Sequence, residues 1–110
     1  MAVIVETSSP NDLLAAIKKK IDGGHIDTWT YDKDGDFTHS PPQWAKKAWM
    51  RPVVGSGNLS FGIVYPSQAA KDKVTYSVFH GRLIEMILAH FDDKIDRACA
   101  TSKLVKPDVF

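Results

Sequence analysis

The chain has 110 residues, with 14 Lys+Arg against 13 Asp+Glu and a net charge of +1. That length is one domain, and a balanced charge names no polyanionic partner. The single cysteine, Cys99, excludes an internal disulfide framework and a cysteine-built zinc site, and no apolar run is long enough to span a bilayer.

Residues 1–8 hold Val3-Ile4-Val5, a short β-type run expected at a sheet edge. Glu6 and the lack of a basic stretch separate this start from a signal peptide, so a cytoplasmic domain is expected. Ser9-Pro10 reads as an N-cap followed by the first helical position, with Asp12 close to a capping box. Leu13, Leu14, Ile17 and Ile21 follow at helical spacing, Lys18, Lys19 and Lys20 suit the negative end of the dipole, and Gly23-Gly24 stops the helix.

The next segment reads as a hairpin. A three-residue loop, Lys33-Asp34-Gly35, with Gly35 left-handed, pairs Tyr31 with Phe37 and Trp29 with His39, placing all four rings on one face. Residues 43–49 fit either a short helix or an irregular crossing. Met50 to Val54 reads as extended, with Pro52 at an edge or bulge position. Leu59, Phe61, Ile63 and Tyr65 alternate as a strand after the Gly55-Ser56-Gly57-Asn58 turn, and Val74, Tyr76 and Val78 alternate as another. From Gly81 to Ala98, the apolar stripe Ile84, Ile87, Leu88, Phe91, Ile95 and Ala98 predicts a long C-terminal helix. The tail, 101–110, has no periodicity. The expected architecture is a two-layer α+β domain over 9–100, with an N-terminal helix, an antiparallel meander of four to five strands and the long helix as cover.

Three stretches resemble a family of small bacterial α+β proteins. They are Asp34-Gly35-Asp36-Phe37-Thr38-His39, Lys47-Ala48-Trp49-Met50-Arg51-Pro52, and His80-Gly81-Arg82-Leu83-Ile84-Glu85-Met86 with Ala89-His90-Phe91-Asp92. The resemblance covers residues 10 to 100 and implies a bacterial source and a stand-alone domain. No activity comes with it, so it gives no residue a role. The order of elements also resembles secretion-chaperone-like α+β folds, a likeness of fold alone.

The candidate chemistry gathers in three places. Asp32-Lys33-Asp34-Gly35-Asp36 is similar to a calcium loop, but its glycine comes too early and Pro41 stands where the EF-hand needs glutamate, so a solvated hairpin tip is expected. His80-Gly81-Arg82, read as a strand-to-helix junction, would offer helix N-terminal N–H groups, a guanidinium and an imidazole to an anion. Asp36, His39 and Glu85 would join it where strand ends meet, and a metal there would need His39 brought to His80. The bland alternative is a tight turn with Arg82 paired to Glu85 or Asp36. Third, Trp44, Lys46, Lys47, Trp49 and Arg51 interleave rings and cations, a mixture that suits single-stranded nucleic acid or a protein with an acidic surface. Cys99 reads as a small buried hydrophobe, and Gly55-Ser56-Gly57 is no nucleophile elbow.

With no assembled catalytic constellation and no cofactor or metal motif, the leading expectation is a non-enzymatic protein-binding or regulatory module, acting on a protein partner or as a homodimer. A small enzyme or ligand-binding protein at Asp36, His39, His80, Gly81, Arg82 and Glu85 is the rival. Nucleic-acid binding stands third, because the net charge weakens it.

Overall fold

The computed structural model describes residues 2–67 and 72–102. In chain order the elements are β1 (Ala2–Glu6), α1 (Pro10–Asp22), β2 (Trp29–Tyr31), β3 (Phe37–His39), β4 (Trp49–Gly55), β5 (Asn58–Val64), α2 (Lys73–Phe91), a one-turn 3-10 helix (Asp92–Lys94) and β6 (Arg97–Ala100). The fold is α+β. Six strands form one antiparallel sheet in the order β2-β3-β4-β5-β1-β6.

α1 begins as its residues dictate, with Ser9 at the N-cap and Pro10 in the first turn, although the Ser9 hydroxyl makes no capping bond. The hairpin follows the predicted register: Trp29 faces His39, Tyr31 faces Phe37, and Gly35 takes φ 84°. That positive φ is what lets three residues close the loop. Residues 41–47 form turns rather than a helix, stitched by Trp44 and Ala45 N–H bonds to the Pro41 carbonyl. β4 and β5 pair along their whole length, but β4 meets β3 only where Met50 lies opposite Phe37. Pro52, with no N–H to give, therefore sits on a stretch that has already passed its neighbour.

The sequence expectations fail in three places. Val74, Tyr76 and Val78 are helical, because the Asp72 side chain accepts the Thr75 N–H and starts α2 at Lys73. A cap of this kind overrides a short alternating pattern. α2 ends at Phe91, short of Ala98. Asp92 and Asp93 follow at the negative end of its dipole, where acids are unfavourable. Residues 97–100 instead become β6, so a strand follows α2 and the described residues hold six strands. Finally, β1 is interior. It pairs with β5 through Val3↔Phe61 and Val5↔Leu59, and with β6 through Val3↔Ala100 and Val5↔Ala98. A strand flanked on both sides is no edge strand. From residue 103 on, the tail lies outside the described residues, as does part of the connection before α2.

Both helices cover the same face. α1 rests on β2, β4 and β5, and α2 on β1, β3 and β6. One core joins Val3, Val5, Trp29, Phe37, Met50, Leu59, Phe61 and Ile63 from the strands to Leu13 and Ile17 of α1 and to Phe79, Leu83 and Ile87 of α2. Strand side chains alternate between faces, so the residues between these point to the other side of the sheet.

Candidate binding site on the open face of the sheet

The outward positions read across the sheet in rows. Val53 of β4 lies beside Ser60 of β5, which faces Ile4 of β1, which faces Cys99 of β6. The next row is Arg51, Gly62 and Ala2, and the one beyond pairs Trp49 with Val64. Antiparallel sheets with one solvated face usually turn polar side chains outward. Here the outward set is mostly Trp, Val, Ile, Ala and Gly. Among the described residues, neither helix covers it. Trp49, Val64 and Ile4 are half-buried, Val53 is 42% exposed and Cys99 is exposed.

Charge frames this apolar strip. Between the two apolar rows, on β4, Arg51 donates through Nε and Nη2 to the two carboxylate oxygens of Asp36, at 3.1 and 3.0 Å. Asp36 is buried, and its carboxylate holds the guanidinium firmly in its charged form. On the β6 flank Arg97 pairs with Glu6 across β6 and β1. At the near end the turn before β4 carries exposed Lys46 and Lys47. Lys46 has φ 63°, unusual for a residue with a Cβ, and its N–H is tied to the Thr38 hydroxyl at 3.0 Å. The turn is thus held in one shape, with both lysines at the rim. Trp44 departs from this set: it packs, half-buried, against the core. Of the predicted ring-and-cation cluster, Trp49 and Arg51 share the open face, Lys46 and Lys47 border it, and Trp44 serves the interior. Val53, Ile4 and Val64 were missed, although the alternation Lys47, Trp49, Arg51, Val53 was there to be followed outward along one strand.

Of the residues predicted around His39 and His80, Arg82 and Glu85 lie close enough to His39 to act on its charge, while Asp36 is engaged by Arg51. His80, Gly81 and Arg82 lie inside α2, seven or more residues past its start, so no free helix N–H groups gather at them. That start is already occupied by Asp72, which takes both the Thr75 N–H and hydroxyl at 2.7 Å; these bonds hold its carboxyl below the usual range. His80 is buried, donates from Nδ1 to the Tyr76 carbonyl at 2.6 Å and stacks on the Tyr76 ring at 3.9 Å. Arg82 and Glu85 pair with each other on the helix surface at 2.9 Å.

His39 is buried beside Trp29 and Phe79, with ring centroids 4.9 and 6.2 Å away. Its Nδ1 donates to the Thr28 carbonyl at 2.8 Å. Burial lowers its pKa, the Thr28 bond opposes this, and nearby Arg82 lowers it further against Glu85. Among the described residues, no group of three or more His, Cys, Asp or Glu could hold a metal ion.

A polar cleft of about 350 Å³ lies between the start of α1 and the segment after α2, lined by Thr7, Ser9, Asp12, Asp93, Lys94 and Asp96. Its one buried polar side chain, Thr7, is already engaged, donating to the Lys94 carbonyl at 2.8 Å and accepting the Ser9 N–H. No described helix is long and apolar enough to cross a membrane. No protein-family model matches the chain, and neither the curated proteins nor the solved structures contain a match.

Proposed function

We propose that this domain is a non-enzymatic protein-binding module whose contact surface is the open face of the sheet. The observation that carries the reading is the apolar set on that face, Trp49 with Val64 in one row and Val53 and Ile4 in another, at positions that a solvated sheet would make polar. Such a patch, rimmed by charge, marks an interaction site. Trp49 is the anchor, since a half-buried indole on rigid strands adds much contact area at little entropic cost. Lys46 and Lys47 at its border, with Arg51 between its rows, select a partner with an acidic rim around an apolar centre.

The test immobilises the domain in nuclease-treated bacterial lysate, the source that the sequence resemblance implies. Wild type is compared with Val53→Asp, Trp49→Ala and Lys46→Glu/Lys47→Glu. A protein retained by wild type, lost with Val53→Asp and Trp49→Ala, and reduced at least tenfold by the lysine pair supports the reading. Retention indifferent to all three variants, or no specific retention, overturns it. Capture that needs intact nucleic acid and falls steeply with salt would transfer the surface to single-stranded nucleic acid instead.

A further inference from the structure

One row of the open face is drier than its described neighbours account for. Ala2 stands there between Gly62 of β5 and Thr101. The Thr101 N–H donates to the Ala2 carbonyl at 2.9 Å, and the Thr101 hydroxyl accepts the Ala2 N–H at 2.8 Å. Ala2 is 0% exposed and Gly62 is buried. A glycine has no side chain and a threonine has a short one, so the row does not shut a methyl from water by itself. The chain leaves β6 at this row, pinned by the two Thr101 bonds, and the next row along holds Trp49 and Val64. Eight residues, 103–110, follow the last described one, and Leu104, Val105, Val109 and Phe110 among them are large and apolar. β4 lies beyond β1 and β5 from β6, about 14 Å across the sheet, whereas eight residues of chain reach about 26 Å.

We propose that residues 103–110 turn back from Thr101 across this face and occupy it in cis, as a strap that a partner must displace. Leu104 and Val105, the first apolar pair past the pin, fall to the Ala2, Gly62 and Val64 positions. Val109 and Phe110 fall to Trp49. Asp108, the acid of the segment, comes within reach of Lys47 and Arg51. An apolar group with an acid beside it is what this face asks of a partner, and the protein's own chain carries one. The short connection to Thr101 selects the cis segment over that of a second copy, because it holds the segment at an effective concentration on the order of millimolar. The regulatory consequence rests on the binding role proposed above for this face; the docking itself does not.

The test is nuclear magnetic resonance on the isotope-labelled full chain. Overhauser contacts from Leu104, Val105, Val109 or Phe110 to the Trp49 indole or the Val64 methyls are expected, at an intensity per molecule that dilution leaves unchanged. The double variant Leu104→Asp/Phe110→Asp removes them and moves the Trp49 and Val64 resonances, while Phe61 in the core stays in place. Asp108→Lys weakens them. Absence of these contacts overturns the strap, as do contacts that fade on dilution and so belong to a second copy. Displacement is read separately, by lysate capture. Leu104→Asp/Phe110→Asp should raise retention of the partner that Val53→Asp loses by about threefold or more, the gain when a face closed two-thirds of the time is opened. A partner retained equally with and without the double variant overturns the regulation. Contacts present with no partner retained by either protein support the strap and overturn the binding role instead.

Discussion

At the scale of single residues, two of the buried polar side chains, His39 and Asp36, each impose a condition. His39 is buried among rings with its Nδ1 proton committed to Thr28, so the folded protein resists placing a second proton on it. Its folded pKa lies below the ordinary 6.5. The unfolded chain therefore takes up the proton first as pH falls. His39 costs the fold nothing above about pH 6.5 and removes stability progressively below it. Denaturant titrations from pH 8 to 5 should show that decline, and His39→Asn should flatten it. Asp36 imposes the second condition. Its side chain is only 9% exposed, and its two carboxylate oxygens are met by Arg51, which is 47% exposed. Arg51→Ala leaves a buried carboxylate without those donors. It should cost about 1–2 kcal/mol, a charged-bond value reduced for the half-exposed guanidinium. Adding Asp36→Asn should return part of that loss in a double-variant cycle.

At the scale of elements, α2 carries the clearest prediction. Gly81→Ala removes glycine's backbone entropy penalty at an exposed mid-helix site. It should stabilise the folded monomer by about 1 kcal/mol in denaturant melts. α2 is also where sequence reading and structure part most instructively. α1 was legible because Pro10, the Leu13–Ile17 spacing and Gly23-Gly24 all agree with the same helix. The hairpin was legible because its ring pattern and Gly35 agree with one register. In Val74-Thr75-Tyr76-Ser77-Val78, β-branched residues also satisfy strand alternation, and Gly81 reads as a breaker. The decision rested on one carboxylate, Asp72, and on burial of Tyr76 and Phe79 against a sheet whose strand order is not local information. β6 was illegible for the same reason. Arg97-Ala98-Cys99-Ala100 has little strand preference of its own and is extended because β1 offers it a ladder. The candidate site shared this fate. Trp49 and Arg51 were found as chemistry, but the face they share with Ile4 and Val64 exists only once β1 is known to lie beside β5.

At the scale of the whole molecule, two helices on one side and none described on the other divide the sheet into an interior face and a presenting face. The interior face sets stability. Phe61 is fully buried opposite Val3, at the centre of the sheet, and its ring meets Phe37 edge-on at 6.0 Å. Phe61→Ala should cost about 3–5 kcal/mol by calorimetry or denaturant melts. Val53→Asp on the presenting face should stay within about 0.5 kcal/mol of wild type, because that side chain is not packed into the core.

The position of β1 has a consequence for how the chain is made. Of the six strands it is the first to be synthesised, yet its two neighbours are β5 and β6. Both of its hydrogen-bonding edges must wait, one until residues 58–62 have emerged and the other until 97–100 have. During that interval Val3, Ile4 and Val5 form an apolar strand with nothing to pair with, in a nascent chain whose only early local structures are α1 and the β2–β3 hairpin. Closing the sheet joins residues almost a full chain length apart, which makes folding slow relative to a helical domain of this size. The vulnerable period for misassociation is therefore during and just after synthesis, and a holdase that shields β1 would protect this protein most.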